Sequence, residues 1–250
     1  MPAIRKSLGR LLKDTFFLIK QNLFSLASIV AAVYIPLCVL FLLFLGTASA
    51  FKDKMDILSA GKSVLSTIIF IVSLAGFITA VFLATMIFSI AIIKKIKACD
   101  EKKNLSAKEA YQASSALLGP FCIVIFWVLL KVSLWSLLFI VPGIVFALFY
   151  SFAQIAFILD EQQGLSALVS SRKIIQPYFW EFVGKSFVAG LIFFVVSGIF
   201  RLIIHRIFPS KVGWDPITAS ILDNLVNGFL GIFPITFGYF LYKDLKERGC

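Results

Sequence analysis

The stretch Val39-Leu40-Phe41-Leu42-Leu43-Phe44-Leu45 decides the fold class, because it is apolar throughout and does not alternate with polar residues. Strands of a membrane barrel alternate apolar and polar residues, whereas a membrane helix is apolar on all sides. The stretch belongs to a longer apolar run, Leu23–Leu45. Because a helix needs about 20 apolar residues to cross a hydrocarbon layer about 30 Å thick, this run predicts a transmembrane helix.

Runs of this kind occur six times and dominate the 250-residue chain. Apolar residues make up 60% of the chain and charged residues 15%, against roughly 45–50% and about 25% in soluble domains. We expect an all-α membrane protein in which residues 1–250 form one membrane domain, with six transmembrane helices arranged as three hairpins. The predicted helices are Leu23–Leu45, Val64–Ile93, Leu117–Phe139, Ile140–Leu159, Phe182–Ile204 and Ile217–Leu241.

The third and fourth predicted helices are separated only by Val141-Pro142-Gly143. Proline interrupts the hydrogen bonding of a helix, and glycine tolerates the backbone angles of a sharp turn. One long kinked helix is the alternative, but Leu117–Leu159 is too long for a single crossing. We therefore predict a hairpin whose turn lies at or near the membrane surface.

Basic residues favour one side of the predicted membrane domain. The positive-inside rule therefore places both termini in the cytoplasm, in agreement with an even number of crossings. The formal net charge of +11 suits anionic lipid headgroups and requires no nucleic-acid partner. The basic side comprises Arg5, Lys6, Arg10, Lys13 and Lys20; Lys94, Lys95, Lys97, Lys102, Lys103 and Lys108; Arg172 and Lys173; and Lys243, Lys246 and Arg248.

The leader, residues 1–22, has the pattern of an amphipathic helix. Ile4, Leu8, Leu11 and Leu12 follow one another at three- and four-residue spacing and Ile19 lies seven residues after Leu12, so the five share one helix face. Most of the leader's basic residues lie away from that stripe. Such a helix is expected to lie in the headgroup region, with its cations against lipid phosphates. The alternative is a polar extension that merely prolongs the first transmembrane helix.

Two further short segments have the same expected place before a hairpin. They begin with Leu105-Ser106-Ala107 and Leu165-Ser166-Ala167, and Ser106 and Ser166 are candidate helix N-caps. Glu109 completes a capping-box pattern with Ser106. The chain therefore suggests three units, each a surface helix followed by a hairpin, although matches this short also arise by chance.

A resemblance to a known family lies in Phe139–Arg172. This stretch contains Val-Pro-Gly-Ile, Tyr150-Ser151-Phe152, Asp160-Glu161, Leu165-Ser166-Ala167-Leu168 and Ser171-Arg172. In these features the chain resembles the membrane domain attached to some bacterial glycerophosphodiester phosphodiesterases, and its stand-alone six-helix relatives. The resemblance implies a six-helix fold in a bacterial inner membrane. It implies no catalytic residue, because the catalytic domain of those enzymes is a separate soluble barrel.

Ionisable residues at membrane depth are costly and are therefore candidates for function. The candidate intramembrane polar cluster consists of Lys131, Arg201, His205, Asp223 and Asn227. Given the predicted topology these residues fall in the outer half of the bilayer, where Arg201 and Asp223 can pair and His205 can join them. Snorkelling of the cations to the membrane surface, with purely structural pairing, is the alternative interpretation.

Asp160 and Glu161 close the fourth predicted helix ahead of Arg172. A carboxylate paired with Arg172 would fix the following surface helix against the bundle, which is a structural role more often than a chemical one. The sequence shows no catalytic motif, no metal-ligand spacing and no phosphate-binding loop, so we expect no cofactor.

We therefore predict a non-enzymatic integral membrane protein of the bacterial inner membrane, with a possible role in envelope or lipid homeostasis. The lipid part of this prediction depends on the family resemblance alone. A transporter or channel for a small solute or lipid is one alternative, and a membrane subunit for a soluble partner is another. The sequence leaves open whether a protein partner or a second copy binds.

Overall fold

Residues 6–57, 64–103, 105–207 and 215–249 are described in the structure, a computed structural model of the chain. The described residues are almost entirely helical and contain no strand. Six segments are long and apolar enough to cross a membrane, so the predicted fold class, an all-α protein that crosses the membrane several times, is confirmed. These segments are Leu23–Phe44, Ile68–Asp100, Leu118–Leu138, Ile140–Leu159, Leu165–Ile207 and Ile221–Gly249.

Several of these segments consist of more than one helix. In chain order they are α1 (Leu8–Gln21), α2 (Leu23–Ile57), α3 (Val64–Asp100), α4 (Ala107–Ser115), α5 (Leu118–Leu138), α6 (Ile140–Phe149), α7 (Ala153–Leu159), α8 (Leu165–Ile175), α9 (Phe179–Ile207), α10 (Asp215–Leu230) and α11 (Ile232–Gly249). A single 3-10 turn, Gln176–Tyr178, joins α8 to α9.

Two predicted helices are broken. The fourth splits at Tyr150–Phe152, between α6 and α7, where the Ser171 hydroxyl of α8 donates to the Phe149 carbonyl (2.6 Å) and accepts from the Phe152 amide (3.1 Å). The sixth splits at Gly231, because Pro234 has no amide hydrogen to bond the carbonyl of Leu230 and its ring crowds that carbonyl. The α2 and α3 helices are longer than predicted, since they continue past the apolar residues.

Helices α5 and α6 form the predicted hairpin rather than one long kinked helix, but the turn between them lies earlier in the chain than predicted. Phe139 is the extended residue (φ −156°, ψ 143°), and Val141-Pro142-Gly143 belong to the first turn of α6. Proline is tolerated there because the amide of a first-turn residue has no partner within the helix. Gly143 permits a close approach to α5, since a Cβ at Gly143 would lie 2.8 Å from the Cα of Ser136.

The short helices form where the leader and the two Leu-Ser-Ala segments predict them. Asn22 ends α1, so α1 is not a prolongation of α2. The Ser106–Glu109 capping box is present, and the hydrogen bond from the Ser106 backbone amide lowers the pKa of Glu109. Ser166 does not cap α8, because Gly164 is the N-cap residue and Ser166 lies in the first helical turn. Residues 1–5 of the leader lie outside the described residues.

The two ends of the described chain meet at one end of the bundle. The Lys6 backbone amide donates to Asp244 (3.2 Å), and the Tyr178 hydroxyl donates to the Arg248 carbonyl (3.1 Å). We call this end, which also carries Asp100 and Asp160, the terminal face. Helix α11 lies at its centre, with half of its residues buried, and packs against α1, α3, α8, α9 and α10.

Candidate functional site

Two members of the predicted intramembrane cluster are in contact. The Arg201 Nε atom of α9 lies 2.8 Å from the Asp223 Oδ2 atom of α10. Asp223 is buried, whereas 64% of the Arg201 side chain is exposed. At 1.5 Å per residue, Arg201 lies about 24 Å along α9 from Lys185 of the terminal face. The pair therefore lies towards the far side of a hydrocarbon layer about 30 Å thick.

The other three members do not join this pair. His205 is exposed on α9 and makes no hydrogen bond or ion pair with any described residue. Asn227 contributes its backbone carbonyl, which accepts from the Gly231 amide at the α10–α11 break (2.8 Å). Lys131 is half-buried on α5, which packs mainly against α3, α6, α7 and α8 rather than against the α9–α10 pair.

The pairing of Asp160 or Glu161 with Arg172 does not form. Asp160 instead accepts from the Tyr242 hydroxyl (2.6 Å) and forms an ion pair with Lys246, both of α11. The Arg172 guanidinium lies 5.8 Å from the ring centre of Phe146 and 5.7 Å from that of Phe149, so it contacts aromatic faces instead of a carboxylate. Glu161 is exposed.

A buried ionic network at the terminal face was not predicted. Glu181 and Lys185 of α9 meet Asp244 and Arg248 of α11. Arg248 donates to both Glu181 oxygens (3.2 and 3.0 Å), and Lys185 lies 2.7 Å from Glu181 and 3.4 Å from Asp244. Both helices carry an acid and a base four residues apart. This spacing is the sequence signal that could have identified the network, because such residues share one helix face.

The Leu-Ser-Ala repeat extends further than these three residues, both in sequence and in contacts. Residues 100–107 read DEKKNLSA and residues 160–167 read DEQQGLSA, so the acidic pair precedes Leu-Ser-Ala at the same distance in both. Asp100 accepts from the Tyr239 hydroxyl (2.9 Å) and lies 2.8 Å from the Lys243 Nζ atom, as Asp160 does with Tyr242 and Lys246. These contacts fix α11.

The structure brings together a further group of polar residues around a cavity of about 420 Å³ between α3, α7, α9 and α11. We call it the near cavity, because it lies beside the terminal face: Ser186 directly follows Lys185, and Ile93 directly precedes Lys94. Its polar lining residues are Ser89, Ser151, Gln154 and Ser186, and the remaining lining residues are apolar or glycine.

The polar groups of the near cavity differ in their free hydrogen-bonding capacity. Ser89 donates to the Thr85 carbonyl of its own helix (2.9 Å), and Ser151, in the break between α6 and α7, donates to the Leu148 carbonyl (2.8 Å). The side chains of Gln154 and Ser186 make no hydrogen bond to any described residue. Their polar atoms are accessible from the cavity, so these two groups can bond a ligand that donates and accepts hydrogen bonds.

The near cavity opens to the outside of the helix bundle. Gly190 of α9 and Pro234 of α11, which line it, are exposed on the membrane-facing surface. No lining residue among those described is titratable, and no group of three or more His, Cys, Asp or Glu residues in the described ranges is placed to hold a metal ion. The arrangement therefore suits binding of a polar, uncharged group presented from the bilayer.

Comparison of the chain with family models, with curated proteins and with solved structures gave no match. The resemblance of Phe139–Arg172 to the phosphodiesterase membrane domain therefore stays a prediction.

Proposed function

We propose that this chain is a non-enzymatic protein of the bacterial inner membrane that binds one membrane amphiphile in the near cavity, in support of envelope or lipid homeostasis. The polar head of the amphiphile occupies the cavity, and its hydrocarbon chains remain in the bilayer. The observation that carries the proposal is the pair of unbonded side chains, Gln154 and Ser186, in a cavity that opens to the bilayer at Gly190.

The size and chemistry of the near cavity support a hydroxyl-bearing, uncharged head. The volume of the cavity, about 420 Å³, lies within the range of small-molecule pockets, about 300–1,000 Å³. Because no lining side chain carries a charge, a charged head would enter without a counter-charge, which is costly in a low-dielectric site. Hydroxyl groups match the amide of Gln154 and the hydroxyl of Ser186, which both donate and accept.

The orientation belongs to the same proposal. Basic residues cluster at the terminal face, and the positive-inside rule then places this face and both termini in the cytoplasm. The exposed side chains of Lys13, Lys20 and Lys108 are available to anionic headgroups, whereas nucleic acid is not needed to explain them. Reporter fusions to the two ends test this orientation independently of the cavity.

A variant at the lateral opening of the near cavity tests the proposal. Gly190 lines this opening and a Cβ there meets nothing within 4 Å, so Gly190→Leu adds a side chain at the opening without displacing backbone. Gly198→Leu on the same helix, where a Cβ also meets nothing within 4 Å, is the matched control. We expect protein purified in native membrane discs to retain one uncharged amphiphile, detected by mass spectrometry, and Gly190→Leu to lose it while Gly198→Leu keeps it. Equal retention in both variants, or an empty wild-type protein, would favour a scaffold.

A further inference from the structure

A second cavity, of about 370 Å³, lies between α2, α3 and α10 and shares no lining residue with the near cavity. Its chemistry also differs, because aromatic rings dominate the lining and the near cavity is lined by serines and a glutamine. We call it the aromatic cavity. Its four aromatic lining residues are Tyr34, Phe41, Phe77 and Phe88.

Helical periodicity places the lining residues of each helix on one face. On α3, Phe77, Val81 and Thr85 follow one another at four-residue steps, and on α10, Ile221 and Asn224 are three residues apart. Helix α2 packs against both α3 and α10, so the three faces enclose one space. Thr85 and Asn224 are exposed, so the aromatic cavity opens to the outside of the bundle between α3 and α10.

The depth of the aromatic cavity restricts its ligand to molecules of the bilayer. The membrane-crossing segment of α2 begins at Leu23, and at 1.5 Å per residue Tyr34 and Phe41 lie about 17 and 27 Å along it. Both therefore lie within a hydrocarbon layer about 30 Å thick. No lining residue of the aromatic cavity is charged. A charged ligand would lack a counter-charge there, so the cavity favours an uncharged one.

Contacts with neighbouring residues hold the aromatic rings of the lining in place. Tyr34 and Phe88 pack edge to face, with ring centres 5.8 Å apart at 88°, and Phe77 stacks on Phe44 with ring centres 4.7 Å apart. The Tyr34 ring lies against Gly228 of α10, where a Cβ would be 2.5 Å from the ring carbon Cζ that carries the hydroxyl. Only glycine leaves room for the ring at this position. Aromatic rings fixed in this way favour a planar ring as their guest.

The Tyr34 hydroxyl is available to a ligand. It makes no hydrogen bond to any described residue, and its oxygen is accessible rather than enclosed by protein atoms. The Thr85 hydroxyl, in contrast, donates to the Phe82 carbonyl of its own helix (2.8 Å). A phenol hydroxyl is a hydrogen-bond donor. A carbonyl oxygen on an uncharged planar ring therefore matches both the aromatic lining and its free donor.

We infer that the aromatic cavity binds an uncharged planar ring with a carbonyl oxygen, the chemistry of a membrane quinone, and that Tyr34 donates a hydrogen bond to that oxygen. The ring packs against Phe41, Phe77 and Phe88, and its hydrocarbon tail leaves to the bilayer between α3 and α10. An apolar cavity of about 150 Å³ suffices for benzene, so about 370 Å³ is large enough for a substituted ring. This site is separate from the near cavity and does not depend on the function proposed for it.

Equilibrium binding of a tritiated decyl-benzoquinone to the full chain, in one detergent at one concentration, tests the site. Tyr34→Phe keeps the ring and removes the donor, so we expect the Kd of the quinone to rise about five- to tenfold. Decylbenzene, which has no oxygen, is measured by competition and should bind wild type and Tyr34→Phe equally. The difference between the two ligands isolates the hydrogen bond from the packing of the ring.

The matched control is Tyr150→Phe, because the Tyr150 hydroxyl also makes no hydrogen bond to any described residue and Tyr150 lines neither cavity. Tyr150→Phe, and Gly190→Leu at the near cavity, should leave the Kd of the quinone unchanged. Equal quinone affinity of wild type and Tyr34→Phe, or no saturable binding to wild type, would overturn the inference. Tighter binding of benzyltrimethylammonium than of the quinone would also overturn it, in favour of an aromatic cage for cations.

Discussion

Asp100 and Asp160 hold α11 by the same pair of contacts, each accepting a hydrogen bond from a tyrosine hydroxyl and pairing with the lysine four residues farther along that helix. Asp100 is the last residue of α3 and Asp160 directly follows α7, and both begin the DE…LSA repeat. The tyrosine–lysine pairs that they contact are displaced by three residues on α11. One helix is thereby fixed at two points by equivalent elements of the chain.

Loss of the Asp160 contact should loosen α11. Asp160→Asn removes the charge that attracts Lys246 and weakens the bond from Tyr242, so we expect the free energy of unfolding to fall by about 1–2 kcal/mol. Asp100→Asn should have a similar effect, because the side chains of Lys243 and Lys246 are exposed to nearly the same extent, 47% and 42%. Thermal unfolding midpoints in one detergent compare the two variants. A marked effect of only one of the two substitutions would contradict the equivalence of the contacts.

The buried network should be more sensitive than either repeat contact. Glu181→Gln leaves Lys185 and Arg248, both almost fully buried, to share Asp244, and breaking a buried pair in this way costs about 3 kcal/mol. Glu101→Gln is the control, since the Lys103–Glu101 pair is exposed and should not affect stability measurably. Folded yield and unfolding midpoint report both effects. Equal midpoints for the two variants would refute the importance of the network.

The Arg201–Asp223 pair should be needed for folding rather than for binding. Arg201→Met leaves a buried carboxylate without its cation and should lower the folded yield, whereas the charge exchange Arg201→Asp with Asp223→Arg should restore part of it. His205→Asn, which alters an exposed neighbour on α9, should fold normally. A normally folded Arg201→Met protein with reduced lipid retention would instead indicate a functional site.

Close packing of the α5–α6 hairpin gives a steric prediction. Gly143→Ala places a methyl group 2.8 Å from the Cα of Ser136, which forces the helices apart and should cost about 1–3 kcal/mol. Gly119→Ala on α5 meets nothing within 4 Å and should be neutral or slightly stabilising. Unfolding midpoints compare them, and a neutral Gly143→Ala would show that the hairpin is looser than the structure has it.

The parts of this fold that depend on local properties could be predicted from the sequence. Length and hydropathy predict six crossings, and the Ser106–Glu109 pattern predicts its capping box, because both are decided within one helix. The α6–α7 break could not be located, because it depends on the hydroxyl of Ser171 in a later helix. Asp160 was assigned to the nearby Arg172 by sequence proximity, whereas its partners lie in α11.

The near cavity also could not be predicted from the sequence. Ser89, Gln154 and Ser186 come from three helices and carry no motif, and the polar residues of a membrane helix give no sign of which neighbour they face. The intramembrane charged residues are candidates for function because burial of a charge is costly. Within the predicted cluster, however, only Arg201 and Asp223 are in contact. The residues that we assign to binding are uncharged and become visible only when the helices are packed.

The most direct test of the account is which lipid lies in the near cavity. A photoreactive phenylalanine analogue is placed at Ile235, which lines that cavity, and in a second protein at Ile78, which is exposed on the lipid-facing side of α3. After irradiation in membranes, mass spectrometry of the adducts should show one uncharged, hydroxyl-bearing lipid at Ile235 and the average composition of the bilayer at Ile78. The same mixture of lipids at both positions, or no lipid adduct at Ile235, would contradict the account.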